Sequence, residues 1–72
     1  AKMTGALGEQ LIRIRNMSAG GLMADCSRCP PVGEAVAIEL SSQSIPGSVV
    51  WIRDGLIGVK FDQSVDLGEL LA

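Results

Sequence analysis

The chain reads as all-β, a small barrel or sandwich. Three observations carry that reading. Its apolar residues fall in short runs that alternate with polar ones. Turn signals separate the runs, with Asp54-Gly55 the strongest of them. No stretch keeps the 3.6-residue period of a long helix. At 72 residues the chain is one domain over positions 1–72. A domain of this size buries only about 60% of its unfolded surface. With 47% hydrophobic and 19% charged residues, the composition is that of a folded protein. Aromatics are confined to Trp51 and Phe61, so aliphatic side chains must build the core.

Taken in order, Ala1 to Gly8 shows no dependable period. It reads as the end of a strand and a turn, the strand's natural start lying before Ala1. Glu9 to Arg15 is the first clear strand, with Ile12 and Ile14 on one face and Leu11, Arg13 and Arg15 on the other. Leu22 to Asp25 is its return. Cys26 to Gly33 is a loop, because adjacent prolines cannot feed a ladder. Glu34 to Leu40 alternates as a half-buried strand with Val36, Ile38 and Leu40 inward. Ser41 to Gly47 is read as a polar connection. Ser48 to Arg53 follows, with Val49, Trp51 and Arg53 predicted to share a face. Leu56 to Phe61 returns after the Asp-Gly turn, with Ile57, Val59 and Phe61 toward the core. Gly58 inside it indicates a bulge or a close neighbour such as Trp51. Ser64 is the expected N-cap of one short helical turn that covers an open end of the barrel.

Charge and residue content exclude several function classes. The formal net charge is −2, which argues against a general nucleic-acid binder. There is no histidine, so the commonest general base and metal ligand is missing, and an enzyme is not expected. Cys26 and Cys29 have the spacing of half a zinc site, but no further ligands accompany them. They are read as two reduced thiols in a loop, with a zinc site or disulfide shared between two chains as the alternative. No apolar run is long enough to span a bilayer, and no signal-peptide pattern opens the chain, so the expected location is cytoplasmic.

One stretch stands out, Asn16-Met17-Ser18-Ala19-Gly20-Gly21, between two apolar runs. It reads as strand, tight turn, strand. Asn and Ser side chains either bond the local backbone or stay free to meet a ligand. Gly20 and Gly21 allow positive φ and a close approach to the backbone. Arg13 and Arg15 precede the turn and make a locally positive corner, while much of the acidic charge lies beyond it.

In this setting the chain resembles the PilZ domain, a six-stranded antiparallel split β-barrel known as a receptor for cyclic di-GMP. The resemblance rests on Asn16-x-Ser18-x-x-Gly21 followed by Leu22, the Pro31-to-Gly33 loop, Val49-Val50-Trp51, and Gly58-Val59-Lys60-Phe61. It runs from about Glu9 to Asp62. The family's other motif, Arg-x-x-x-Arg upstream of the first strand, has no counterpart here; Arg13 and Arg15 are two apart and lie within a strand.

The resemblance implies a domain that binds cyclic di-GMP and switches a partner protein in bacterial signalling, as a monomer or homodimer. It implies a site at Asn16, Ser18 and Gly21: Asn16 facing the donor edge of guanine, Ser18 facing guanine or phosphate, and Gly21 leaving room for a flat ring. Arg13, Arg15 and Arg53 are candidate phosphate contacts and Trp51 a candidate ring contact, its other reading being barrel core. The alternative is a degenerate module that binds proteins without nucleotide.

Overall fold

A computed structural model describes residues 1–71, with Leu71 described by its backbone alone. Seven strands and one helical turn follow each other: β1 (Lys2–Gly5), β2 (Gly8–Leu11), β3 (Arg13–Ser18), β4 (Gly21–Asp25), β5 (Ala35–Leu40), β6 (Gln43–Arg53), β7 (Leu56–Phe61) and α1 (Leu67–Leu71). All strands belong to one antiparallel sheet, ordered β2-β1-β5-β6-β7-β4-β3. The all-β class holds, with one strand segment more than the six expected.

The extra segment has a simple cause. The expected strand Glu9 to Arg15 is one strand bent at Ile12, and its halves pair at opposite ends of the sheet. β2 lies on β1 and β3 on β4. Ile12 belongs to neither ladder. Its N–H donates to the Ala1 carbonyl at 2.9 Å, and its side chain is buried. The sheet therefore curls into a half-barrel whose two ends meet in consecutive residues. Ala1 to Gly8, which carried no clear period, forms β1 and a two-residue turn, with Gly5 opposite Gly8.

The core is aliphatic, as the composition requires. Met3, Leu22, Ala24, Val36, Ile38, Ile45, Val49, Ile57, Val59 and Phe61 line the concave side, and no polar side chain is buried among the described residues. Each large side chain so buried contributes about 1.5–3 kcal/mol relative to exposure. The tail closes one end. Leu70 is 1% exposed within the core cluster, and the Ser41 hydroxyl donates to its carbonyl at 2.5 Å. The cap of α1 is Asp66, whose Oδ1 accepts from the Glu69 N–H at 3.2 Å, and not Ser64. Both residue types can cap; docking of Leu70 selects the later one.

Two further expectations change. Ser41 to Gly47 is mostly strand: β6 starts at Gln43, after a two-residue turn in which Ser41 and Ser42 both have positive φ (52° and 64°). Pro46 is accommodated because its carbonyl accepts from the Asp62 N–H just beyond the β6–β7 ladder. A strand residue's N and O point to the same side, so the missing N–H falls where pairing has already ended. The second change is a β-bulge at Val50, where the register passes from Val49↔Val59 to Trp51↔Gly58. The extra residue reverses the alternation. Val49 points inward at 1% exposure, whereas Trp51, expected to share its face, lies on the convex side at 38%. Trp51 is not barrel core.

Candidate functional site

Directly opposed residues in an antiparallel sheet point to the same side, so the register maps the convex face residue by residue. Three parallel rows cross β3, β4, β7 and β6. The first is Ser18, Gly21, Lys60 and Ser48. The second is Asn16, Met23, Gly58 and Trp51. The third is Arg13, Asp25, Leu56 and Arg53.

Trp51 occupies the middle of this grid because Gly58 has no side chain. A Cβ on Gly58 would fall on the indole Nε1, so the ring lies over the glycine. This is the close neighbour foreseen for Gly58. The indole forms one wall of a shallow hollow of about 200 Å³ with Asn16, Ser18, Gly21 and Met23 around it. Three of the five expected site residues, Asn16, Ser18 and Gly21, thus share one hollow with Trp51.

Their chemistry is partly spent locally. The Met17 N–H donates to Asn16 Oδ1 at 2.9 Å. The Gly20 N–H donates to Ser18 Oγ at 3.3 Å, and the Ser18 hydroxyl donates to the Gly21 carbonyl at 3.5 Å. Both side chains stay exposed. Asn16 keeps its two amide hydrogens and one lone pair on Oδ1, and Ser18 keeps an acceptor site. Gly21 also has a backbone reason to be glycine. A Cβ there would meet the Val59 carbonyl, so glycine is required for β4 to pair with β7. Neither Gly20 nor Gly21 has positive φ.

Arg13 and Arg15 do not line this hollow. Arg15 is the extra residue of a second bulge, between Ile14 and Asn16. Its Nε donates to Asp25 Oδ2 at 2.6 Å. Arg13 faces a separate apolar hollow of about 460 Å³ with Leu11, Asp25 and Cys26. Even so, Lys60, Arg13, Arg15 and Arg53 put four of the six basic residues on or beside one face, and Asp25 is its one carboxylate within the strands. Lys60 was missed as a site residue because Leu56 to Phe61 reads as a core strand. Its alternation with Val59 and Phe61 is the signal that places it outside.

On β1 the cation is matched by carboxylates. Lys2 bonds Glu39 at 3.0 Å and Glu9 at 3.5 Å, and these partners, Glu39 first, raise its pKa above the ordinary lysine value. Cys26 and Cys29 are free thiols. Burial, reinforced by the neighbouring Cys29, pushes the Cys26 thiol up to about 12, so it is not a reactive thiolate. Among the described residues no group of three His, Cys, Asp or Glu is placed to hold a metal ion, and no helix is long and apolar enough to cross a membrane.

No curated protein and no solved structure matches the chain. The family model of the PilZ domain matches residues 1–72, the whole chain, in agreement with the Asn-x-Ser-x-x-Gly turn, the Trp51 strand and the curled sheet that joins them. The chain belongs to the PilZ domain family, a family of cyclic di-GMP receptors.

Proposed function

We propose that this domain binds cyclic di-GMP on its convex face and transmits the binding to a partner protein in the bacterial cytoplasm. The observation that carries the reading is the hollow that gathers Asn16, Ser18 and Trp51 on the most basic face of an acidic protein. One guanine lies against the indole, where aromatic stacking on a base is worth about 1–3 kcal/mol. Asn16 and Ser18 meet polar edges of the ligand with the groups their local bonds leave free. A hollow of about 200 Å³ is smaller than the ~300–1,000 Å³ of ordinary ligand clefts. It takes one ring, and the rest of the dinucleotide spreads over the face. The domain performs no chemistry; binding is the signal.

Titration calorimetry tests this. Cyclic di-GMP titrated into the chain should give heats that vanish in Asn16→Ala and in Ser18→Trp. Silence, both from the chain and from a version carrying an Arg-x-x-x-Arg arm ahead of Ala1, would overturn the reading.

A second reading has its own support. Residues 1–72 contain no Arg-x-x-x-Arg, and Val50, Trp51 and Ile52 expose 46%, 38% and 40% of their surface in one run. That combination suits a module that docks a protein without nucleotide.

A further inference from the structure

We infer that Lys60, with Ser48 directly opposite and Ser18 across Gly21 in the same row, forms a subsite for a phosphate group. The inference rests on the nucleotide-binding reading and adds the place where the ligand's charge is held.

The row Ser18, Gly21, Lys60, Ser48 runs parallel to the row that carries Trp51. The two rows are separated by two residues along β3, β4 and β7, roughly 6.5–7 Å, and by three along β6, where the Val50 bulge intervenes. Strand neighbours within a row are about 4.8 Å apart. Lys60 is flanked by Gly21, which has no side chain, and by the short Ser48, so no bulky neighbour covers its stem. It is exposed and takes part in none of the three ion pairs among the described residues. This sets it apart from Lys2 and Arg15, whose charges are matched by carboxylates. No acidic residue occurs in the Lys60 row or the Trp51 row; Asp25 stands in the third row and is held by Arg15.

A cation with two hydroxyls in its row, one row away from an aromatic plate, suits a group that joins an anion to a flat ring. A nucleotide has that shape: its base covers Trp51 while a phosphate oxygen accepts from the Lys60 ammonium and from a serine hydroxyl. Hydrogen bonds with an ionised partner are the stronger ones, and the ammonium–phosphate bond has two. Lys60 thereby supplies from the sheet itself a phosphate contact of the kind that the family's arginines supply from an arm.

The test uses two probes on the 72-residue chain. Inorganic pyrophosphate, followed by amide NMR, should shift Gly21, Ser48 and Lys60 more than the rest of the sheet. Lys60→Gln should abolish those shifts. Lys2→Gln, the same charge change on the far side, should leave them in place. Cyclic di-GMP, followed by calorimetry, should bind about tenfold more weakly to Lys60→Gln, with a shallower salt dependence, and Lys60→Arg should retain most of the affinity. Pyrophosphate shifts at these amides without heats from cyclic di-GMP would keep the subsite and sink the nucleotide reading. Unchanged affinity for cyclic di-GMP in Lys60→Gln, or pyrophosphate shifts spread evenly over all lysines and arginines, would overturn the subsite.

Discussion

The β3–β4–β7–β6 part of the sheet has two faces made from alternate residues of the same strands, and they solve opposite problems. The concave face fills space. Leu22, Ala24, Val49, Ile57, Val59 and Phe61 interlock there at 6% exposure or less. The convex face keeps space open. It places glycines at 21 and 58, short serines at 18 and 48, and one indole over the bare backbone of Gly58. A filled face gains its stability from volume, so its residues are interchangeable among aliphatics of similar size. An open face depends on which groups are left unmatched, so single identities matter more. Two bulges, at Arg15 and Val50, decide which residues join which face.

The largest expected effect lies inside. Ile57→Ala empties a site with 0% exposure and should cost about 2–5 kcal/mol in a urea titration. A loss below about 1 kcal/mol would mean that the concave face is loosely packed, and the contrast would fail. Gly58→Ala comes next. Its methyl occupies the place of the indole, so the ring must swing away, at about 1–3 kcal/mol. Trp51 is the sole tryptophan, so its emission should shift to the red at the same time. An unshifted spectrum would show that the ring rests elsewhere.

A milder effect is set by pH. Cys26 is the concave cluster's one titratable group. Its pKa in the folded state is raised from 9.0 to about 12, so the folded chain holds a proton that the unfolded chain releases first. The stability tied to the neutral thiol is complete below pH 9.0 and is lost as pH climbs toward about 12. Melting temperatures should fall across that window, and Cys26→Val should remove the thiol's share of the fall. The smallest effect is a gain. Ser42 sits at φ 64°, where glycine has no steric penalty, so Ser42→Gly should stabilise by up to about 1 kcal/mol in the same titration.

That last position also shows why part of the fold was hard to read. Asp54-Gly55 announced its turn, and both residues take positive φ, 51° and 78°. Ser41-Ser42 makes the same kind of turn with residues that do not advertise it, so Gln43 to Gly47, nearly half of β6, read as a loop. Inward-facing residues such as Val36, Ile38, Val59 and Phe61 were legible because alternation alone places them. Trp51 was not, because a bulge has no local signature and one unpaired residue inverts everything after it. The turn at Ala19-Gly20 was plain from composition, but Asn16, Met17 and Ser18, read as part of it, lie within β3, and Gly21 opens β4. What Gly21 is for was not plain, since the atom it yields to belongs to Val59, far away in the chain. Lys60 was hidden by the apolar residues around it.

The bend at Ile12 has a consequence for how the chain assembles. β1–β2 and β3–β4 are short-range hairpins that share one continuous strand. Each can form early, because closing a small loop costs little chain entropy. The pairings of β1 with β5 and of β4 with β7 join distant segments, and they must come together around that shared strand. A slow step in refolding should therefore follow the burial of Ile12, the residue that joins the two ends of the sheet.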